Sequence, residues 1–593
     1  MSVPGDPTAE PDDVAVGPSG SATARLVRSS AVVGIGTGLS RLSGLLRVGA
    51  LTFALGATAL SDAYNLANTT PNIIYELLLG GVLSASLVPI FVEHDQLGDE
   101  DATNAVLTVA VIAMAVLTVI AVLAAPLIVD VYTLRLSSAE AAAQAEVAVP
   151  LLRLLLPQIL FYGLMTLGTA LLYSRRSFFA PAYAPILNNV VVIGILVAFA
   201  AIIGSNPSLA DVADNQSYLL LLGAGTTAGI VAMTVALWPA IRRAGIRIRF
   251  NPAWRHPAIR TVARLSGWTI GYAVANQIAL FVVLALANGE GAGSVSAYTY
   301  AFIFFQLPHG LFAVSIMTTF MPDLAGFATQ GDLVGFRDRF GLGLRLLTLV
   351  VLPAAVGYML LARPLVAMLL ERGAFGGGSS ELTSEVLVAF SVGLLGFSVY
   401  LLALRGFYAF KNTRTPFFLN LAENGVNIVA AVALVGVLGV QGLALAYALA
   451  YTFGAVLALG ALRRRIHGLG GRATVDGIGR MVLAAGVMAI AVWGVAHTVG
   501  SNEGVGAVVR TFTGVVVGIA VYVAALVALR VPDAMDLLNR VRRRRRPPAP
   551  ATPSPSTSPP PSSCRPATAP RWIATSTWSS PCLQTPRRPS SRR

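Results

Sequence analysis

Four ionisable side chains stand out by where they lie. Arg41, Arg47, Asp62 and Glu76 interrupt two apolar stretches of membrane length, about residues 30–56 and 62–92. An ionisable group at the centre of a bilayer helix costs about 2.5–3.5 kcal/mol on insertion scales, so such groups face a partner or a water-filled cavity. Two guanidiniums in an internal wet cavity point to an anionic ligand. The competing reading of the same residues is that they snorkel from helix ends or pair within the protein.

The segments that must position these groups are helices in a membrane. The 593-residue chain is 55% hydrophobic and 12% charged, against about 25% charged in soluble domains. Long apolar stretches recur from residue 30 to residue 531, with no room between them for a soluble domain. The chain is therefore an all-α polytopic membrane protein. A hydropathy pass gives about 14 spans, from 30–56 to 507–530. The first 24 residues carry Asp6, Glu10, Asp12 and Asp13 and lack the basic and apolar regions of a cleavable signal. They are expected to form a short disordered arm.

The net charge of +14 does not imply nucleic-acid binding. It is almost all arginine, held in loops and the C-terminal tail, with Lys411 the only lysine. Both cysteines, Cys564 and Cys582, fall in that tail, so the spans offer no disulfide and no thiolate site. His94, His256, His309, His467 and His497 are scattered and suggest no metal site. No hydrolytic triad, phosphate loop or dinucleotide fingerprint is present. The pattern argues against an enzyme and calls for no cofactor.

Loop arginines set the expected orientation. The loops after spans 4, 6, 10 and 12 carry Arg175 and Arg176, Arg242 to Arg260, Lys411 and Arg414, and Arg463 to Arg472. All follow even-numbered spans, so both termini are expected in the cytoplasm by the positive-inside rule. The acidic loop after span 2 (Glu93, Asp95, Glu100, Asp101) departs from the pattern without overturning it, because acidic residues contribute little.

An internal repeat organises the chain. One ungapped offset of 235 (408 − 173) lays Tyr173–Ile193 on Tyr408–Ile428, matching Tyr173 with Tyr408, Arg176 with Lys411, Pro181 with Pro416 and Asn189 with Asn424. The repeat is six spans long, an even number. It predicts two six-helix lobes of the same topology, related by a pseudo-two-fold along the membrane normal, plus two C-terminal helices. The expected divisions are an arm (1–28), an N-terminal lobe (29–241), a basic linker (242–261), a C-terminal lobe (262–464), two further spans (465–531) and a basic, Pro/Ser/Arg-rich disordered tail (532–593). Two such lobes enclose a cavity and can rock, which is the architecture of a carrier.

Separated motifs then carry a resemblance. They include S-R-L-S-G-L-L-R at 40–47, D-A-Y at 62–64, P-N-I at 71–73, L-V-P-I-F at 87–91, A-P-I-L-N-N at 184–189, Q-L-P-H-G at 306–310 and E-R-G-A-F at 371–375. In this order they resemble the MurJ/MviN family over about residues 30–530, with wording similar to the actinobacterial branch. The resemblance implies a multi-pass protein of the bacterial plasma membrane that exports lipid II, the undecaprenyl-diphosphate-linked peptidoglycan precursor. It further implies contact with membrane lipids and cell-wall synthesis proteins as partners. Arg41, Arg47 and Asp62 match family positions whose charge is required, and Glu76 completes the expected substrate-binding set. A diphosphate suits the planar donor fork of arginine.

The chain also departs from the family pattern. Tyr75 and Glu76 stand where better-known members carry an arginine pair, Gly80 replaces an acidic residue, Ile303 replaces a required arginine and Gln306 a glutamate. By depth Arg153, Arg345 and Arg405 are candidates for the missing charge, although the expectation is that they snorkel from span ends. Some relatives bind Na⁺ between spans 7, 11 and 12, where this chain has Asn276, Gln277, Asn420 and Asn424 beside Glu423. The expectation here is interhelical hydrogen bonding. Alternatives to lipid II export are another polysaccharide-lipid flippase, a cation-coupled drug exporter of the same fold, or a scaffold for cell-wall synthesis that transports nothing.

Overall fold

Helices fill the chain because lipid leaves backbone groups no other partner than one another. The computed structural model of the protein describes residues 20–79, 87–204, 207–469 and 471–536, and its regular structure there is helical, without a strand. The first half holds α1 (Gly20–Leu55), α2 (Ala59–Leu79), α3 (Val88–Leu97), α4 (Glu100–Leu123), α5 (Ala125–Tyr132), α6 (Ser138–Leu155), α7 (Gln158–Ser174), α8 (Phe179–Ile203), α9 (Leu209–Ala213), α10 (Gln216–Val235) and α11 (Trp238–Arg243). The second holds α12 (Pro257–Asn288), α13 (Ser294–Pro308), a π-turn (His309–Ala313), α14 (Val314–Gln330), α15 (Leu333–Leu370), α16 (Gly377–Val392), α17 (Leu394–Ala409), α18 (Arg414–Ile466), α19 (Gly471–Thr498) and α20 (Gly504–Ala528). Gly80 and the tail beyond residue 536, with both cysteines, lie outside the described residues, as does most of the expected N-terminal arm. Helix α1 begins within that arm, at Gly20.

Among the described residues, ten helices or joined helices are long and apolar enough to cross a membrane, or eleven if α16 and α17, bent by 46°, count as one span. Helix α18 contains two of the expected spans, broken at Gly439, whose φ of 59° belongs to the left-handed region. Helices α1 and α2 occupy the first two expected spans but are not among the ten, and they are the two that carry Arg41, Arg47, Asp62 and Glu76.

The repeat seen in the sequence recurs in the backbone. Arg176 and Lys411 both adopt φ of 56°, an unusual conformation for a residue with a Cβ. Each ends its helix with the same pair of bonds. Ser177 N–H donates to Leu172 O and Arg176 N–H to Tyr173 O, at 2.8 and 3.0 Å; Asn412 N–H donates to Phe407 O and Lys411 N–H to Tyr408 O, at 3.1 and 2.8 Å. This is a Schellman end, which satisfies the last carbonyls of a helix. Helices α2 and α13, and α8 and α18, also begin at the 235-residue offset.

Packing places α1 for its role. Its exposed apolar residues, Ile35, Leu39, Leu42 and Leu46, recur at helical spacing and form one stripe. Arg41 and Arg47 lie off that stripe. On another side α1 packs against α8, where Asn189 donates to Ser43 Oγ at 2.9 Å. Helix α2 packs against α12 and α13, so the first and second halves of the chain meet along it. The loop after α11 is held on α4: Arg249 N–H donates to Asn104 Oδ1 and Asn251 N–H to Thr108 Oγ1, both at 2.9 Å.

Candidate functional site: a polar cavity between the two halves

Arg47 lies on a cavity of about 300 Å³. Both halves of the chain contribute to its wall: Tyr64, Asn68 and Asn72 from α2, Tyr162 from α7, and Tyr300 and Ile303 from α13. Asn65, Asn68 and Asn72 follow helical spacing and share one face of α2. Tyr64 is fixed through its hydroxyl and Tyr162 through its ring. Tyr64 OH bonds Thr226 Oγ1 at 2.9 Å, and Tyr75, packed on the Tyr162 ring at 5.4 Å, bonds Thr166 Oγ1 at 2.6 Å. The Arg47 guanidinium has no hydrogen-bond or ion-pair partner among the described residues. A fixed cation among amides, without a counter-ion, is a receptor for an anion.

Asp62 does something else. Its carboxylate is buried and accepts three bonds: from Gly293 N–H at 2.6 Å, Ser296 N–H at 2.8 Å and Ser296 Oγ–H at 2.6 Å. These donors open α13, whose own N-cap residue is Gly293 and brings no side chain. Asp62 thus caps α13 from a different helix, satisfying orphan N–H groups and opposing the positive end of the helix dipole. It was expected on the cavity; it does not line it, because all its accepting capacity is directed at α13.

Further bonds surround this cap. Ser61 Oγ meets Tyr300 OH at 2.8 Å, and Asn65 donates to Ser296 Oγ at 3.0 Å. Gln144 and Asn288 exchange amide bonds at 3.0 and 2.8 Å, and Arg135 pairs with Glu290 at 2.9 Å. The E-R-G-A-F loop joins through Ala374 N–H, which donates to Phe53 O at 3.0 Å. Every one of these contacts joins the first half of the chain to the second at the same end of the bundle, where the turns after α1, α12 and α15 meet. That end is closed.

Arg41 reaches across to the second half at a different level. A Cβ added at Gly310 would lie 2.7 Å from Arg41 Nη1, so the guanidinium rests against bare backbone in the π-turn. Such turns are common at functional sites. The neighbouring His309 is fixed by Ser398 Oγ, 2.9 Å from its Nδ1, and by the Phe397 ring. Glu76 is half-buried beside Tyr75 and is not on the cavity wall. The four expected residues therefore separate: Arg47 on the cavity, Arg41 at the π-turn, Asp62 in the closed end and Glu76 apart.

The other candidates sort as clearly. Ile303 does line the cavity, so the wall is apolar at the position where the resemblance calls for an arginine. Arg345 is bound to Asp533 through Nε and Nη2, at 2.8 and 3.3 Å, and holds the end of the chain's last described segment on α15. Asn276 Oδ1 accepts from both Asn420 and Asn424 at 3.0 Å, so these amides bond one another across α12 and α18. A second cavity, about 580 Å³ and almost wholly apolar, runs between α15, α19 and α20, with Phe312 of the π-turn on its wall. Sequence reasoning had missed that groove, and also the asparagine face of α2, although the spacing of the three asparagines was legible.

Comparison with known proteins identifies the family and the fold. A family model described as lipid II flippase MurJ matches residues 51–514. A probable lipid II flippase MurJ of Vibrio cholerae is 28% identical over 523 residues, covering 86% of this chain and 97% of that protein. The lipid II flippase MurJ of Burkholderia cenocepacia is 29% identical over 436 residues, covering 72% and 82%. Among solved structures, a lipid II flippase MurJ in an inward closed conformation superposes with a TM-score of 0.70 at 22% identity, covering 85% of this chain and 99% of that one. An inward-facing MATE family multidrug transporter superposes at 0.60 with 14% identity, covering 73% and 96%. These likenesses establish the fold, and the family match spans most of the sequence: the chain belongs to the MurJ lipid II flippase family.

Proposed function

We propose that this chain carries lipid II from the inner to the outer leaflet of the bacterial plasma membrane by alternating access between two lobes, residues 29–241 and 262–464. The observation that carries this reading is Arg47, a cation without a partner on a polar cavity shared by both halves. The diphosphate of the precursor binds there. Its prenyl chain lies in the apolar groove between α15, α19 and α20, which begins at Phe312, two residues from the Arg41 contact. Burial of each CH₂ of such a chain contributes about 0.8 kcal/mol, so the tail gives affinity and the cations give headgroup choice.

The arginine-rich loops support a cytoplasmic position for both termini. The closed end then faces outward, and the cavity is reached from within. Release outside requires Asp62 to leave α13 and the E-R-G-A-F loop to leave Phe53. Cell-wall synthesis proteins are the natural partners of a carrier whose product they consume.

The MATE likeness suggests a second reading, export of a drug. A cationic drug would need an anion on the cavity, and the wall presents an arginine and amides. The two readings separate by experiment. Depletion of this protein should leave lipid II accumulated in the inner leaflet, while normal outer-leaflet lipid II after depletion would overturn the proposal.

A further inference from the structure

We propose that Arg405 is the cytoplasm-side step of the anion path, so that a diphosphate passes from Arg405 to Arg41 and then to Arg47. This rests on the lipid II reading above and adds a residue to it.

Arg405 sits on α17 with its side chain exposed and without a hydrogen-bond or ion-pair partner among the described residues. Helix α17 packs against the π-turn, where Ser398 Oγ lies 2.9 Å from His309 Nδ1. Ser398, which holds His309, lies seven residues earlier on the same helix face. Arg41 rests against Gly310, next to that histidine, from the other half of the chain. Arg405 thus lies on the α17 face that meets the π-turn, and Arg41 meets the same turn from the opposite half. The nearby carboxylate, Glu423, accepts from Asn424 at 3.0 Å and is not paired with Arg405. Two unpaired like charges repel until an anion sits between them.

The three arginines also descend in order. Arg405 is one turn from the end of α17 that leads into Lys411 and Arg414. Ser398 is about 10 Å deeper, at 1.5 Å per residue, and Arg41 meets the π-turn beside the histidine that Ser398 holds. Arg47 is six residues beyond Arg41 on α1, about 9 Å further. Each step is close to the screening length of about 8 Å at physiological salt, so one cation's attraction reaches the next. The arrangement accounts for Ile303: the second half supplies its cation from α17, nearer the entrance, in place of α13.

Purified full-length protein in detergent, titrated with farnesyl diphosphate and with farnesol, tests the step. Arg405→Gln should weaken farnesyl diphosphate binding at least about tenfold, as expected for loss of a charge-assisted bond, and leave farnesol binding unchanged. Arg405→Lys should retain part of the affinity. An unchanged affinity for farnesyl diphosphate in Arg405→Gln overturns the proposal, and so does an equal loss for farnesol, which would mark a packing role. Should Arg405→Gln not fold, equal diphosphate affinity for Arg405→Lys and wild type overturns it instead, because the fork is then dispensable. Arg47→Ala separates the two levels. If it binds farnesyl diphosphate as wild type does, the underlying anion reading fails; if it loses binding while Arg405→Gln does not, only the entrance step fails.

Discussion

The Asp62 carboxylate accepts both the backbone N–H and the hydroxyl of Ser296, at 2.8 and 2.6 Å, although the two residues belong to helices in opposite halves of the chain. One side chain therefore terminates α13 and joins the halves at the closed end of the bundle. In the proposed cycle, breaking this cap opens the outer face.

Asp62→Asn should favour that opening. The amide keeps one acceptor but loses the charge that opposes the helix dipole, a change of about 1 kcal/mol for a cap. With Thr58→Cys introduced in the neighbouring turn, a membrane-impermeant maleimide added outside should label the Asp62→Asn protein faster than its Asp62 counterpart. Equal rates would show that the cap does not hold the outer face shut.

Gly310 gives a second test. Gly310→Ala would push its methyl into the Arg41 guanidinium. That group is the end of a flexible side chain, so the fold should survive while Arg41 is displaced. Complementation of a depleted strain should fall at normal membrane abundance. Gly310→Ala combined with Arg41→Ala should be no worse than Arg41→Ala alone, the non-additivity expected of residues in contact. Strictly additive losses would separate the two residues.

A third prediction concerns stability alone. The Arg345–Asp533 pair is largely buried. Removing one partner strands a charge, which costs on the order of 3 kcal/mol, whereas replacing both with apolar residues is close to neutral. Asp533→Ala should lower the melting temperature of the purified protein, and Arg345→Met with Asp533→Leu should recover most of it. No recovery would mean the pair contributes through more than its charges.

Much of this was legible in the sequence, for physical reasons. Bilayer thickness imposes the span lengths, and the 235-residue offset follows from local wording that reappears as one turn at Arg176 and Lys411. The role of Asp62 was not legible. Caps are ordinarily read from the residue just before a helix, and this cap comes from 234 positions away. Arg345 likewise looked like a cavity cation by depth, but its partner lies 188 residues on. Sequence marks which residues are costly to bury; it does not say which helix end will meet them.

Anion binding in the cavity depends most directly on Arg47. The decisive measurement is lipid II in each leaflet of a depleted strain that expresses Arg47→Ala, with membrane abundance followed in parallel. The prediction is inner-leaflet accumulation at normal abundance, because a cation inside a membrane helix can be removed without penalising insertion, and partial export for Arg47→Lys, which keeps the charge and loses the fork. Full export by Arg47→Ala at normal abundance would contradict the claim that this cavity binds the diphosphate.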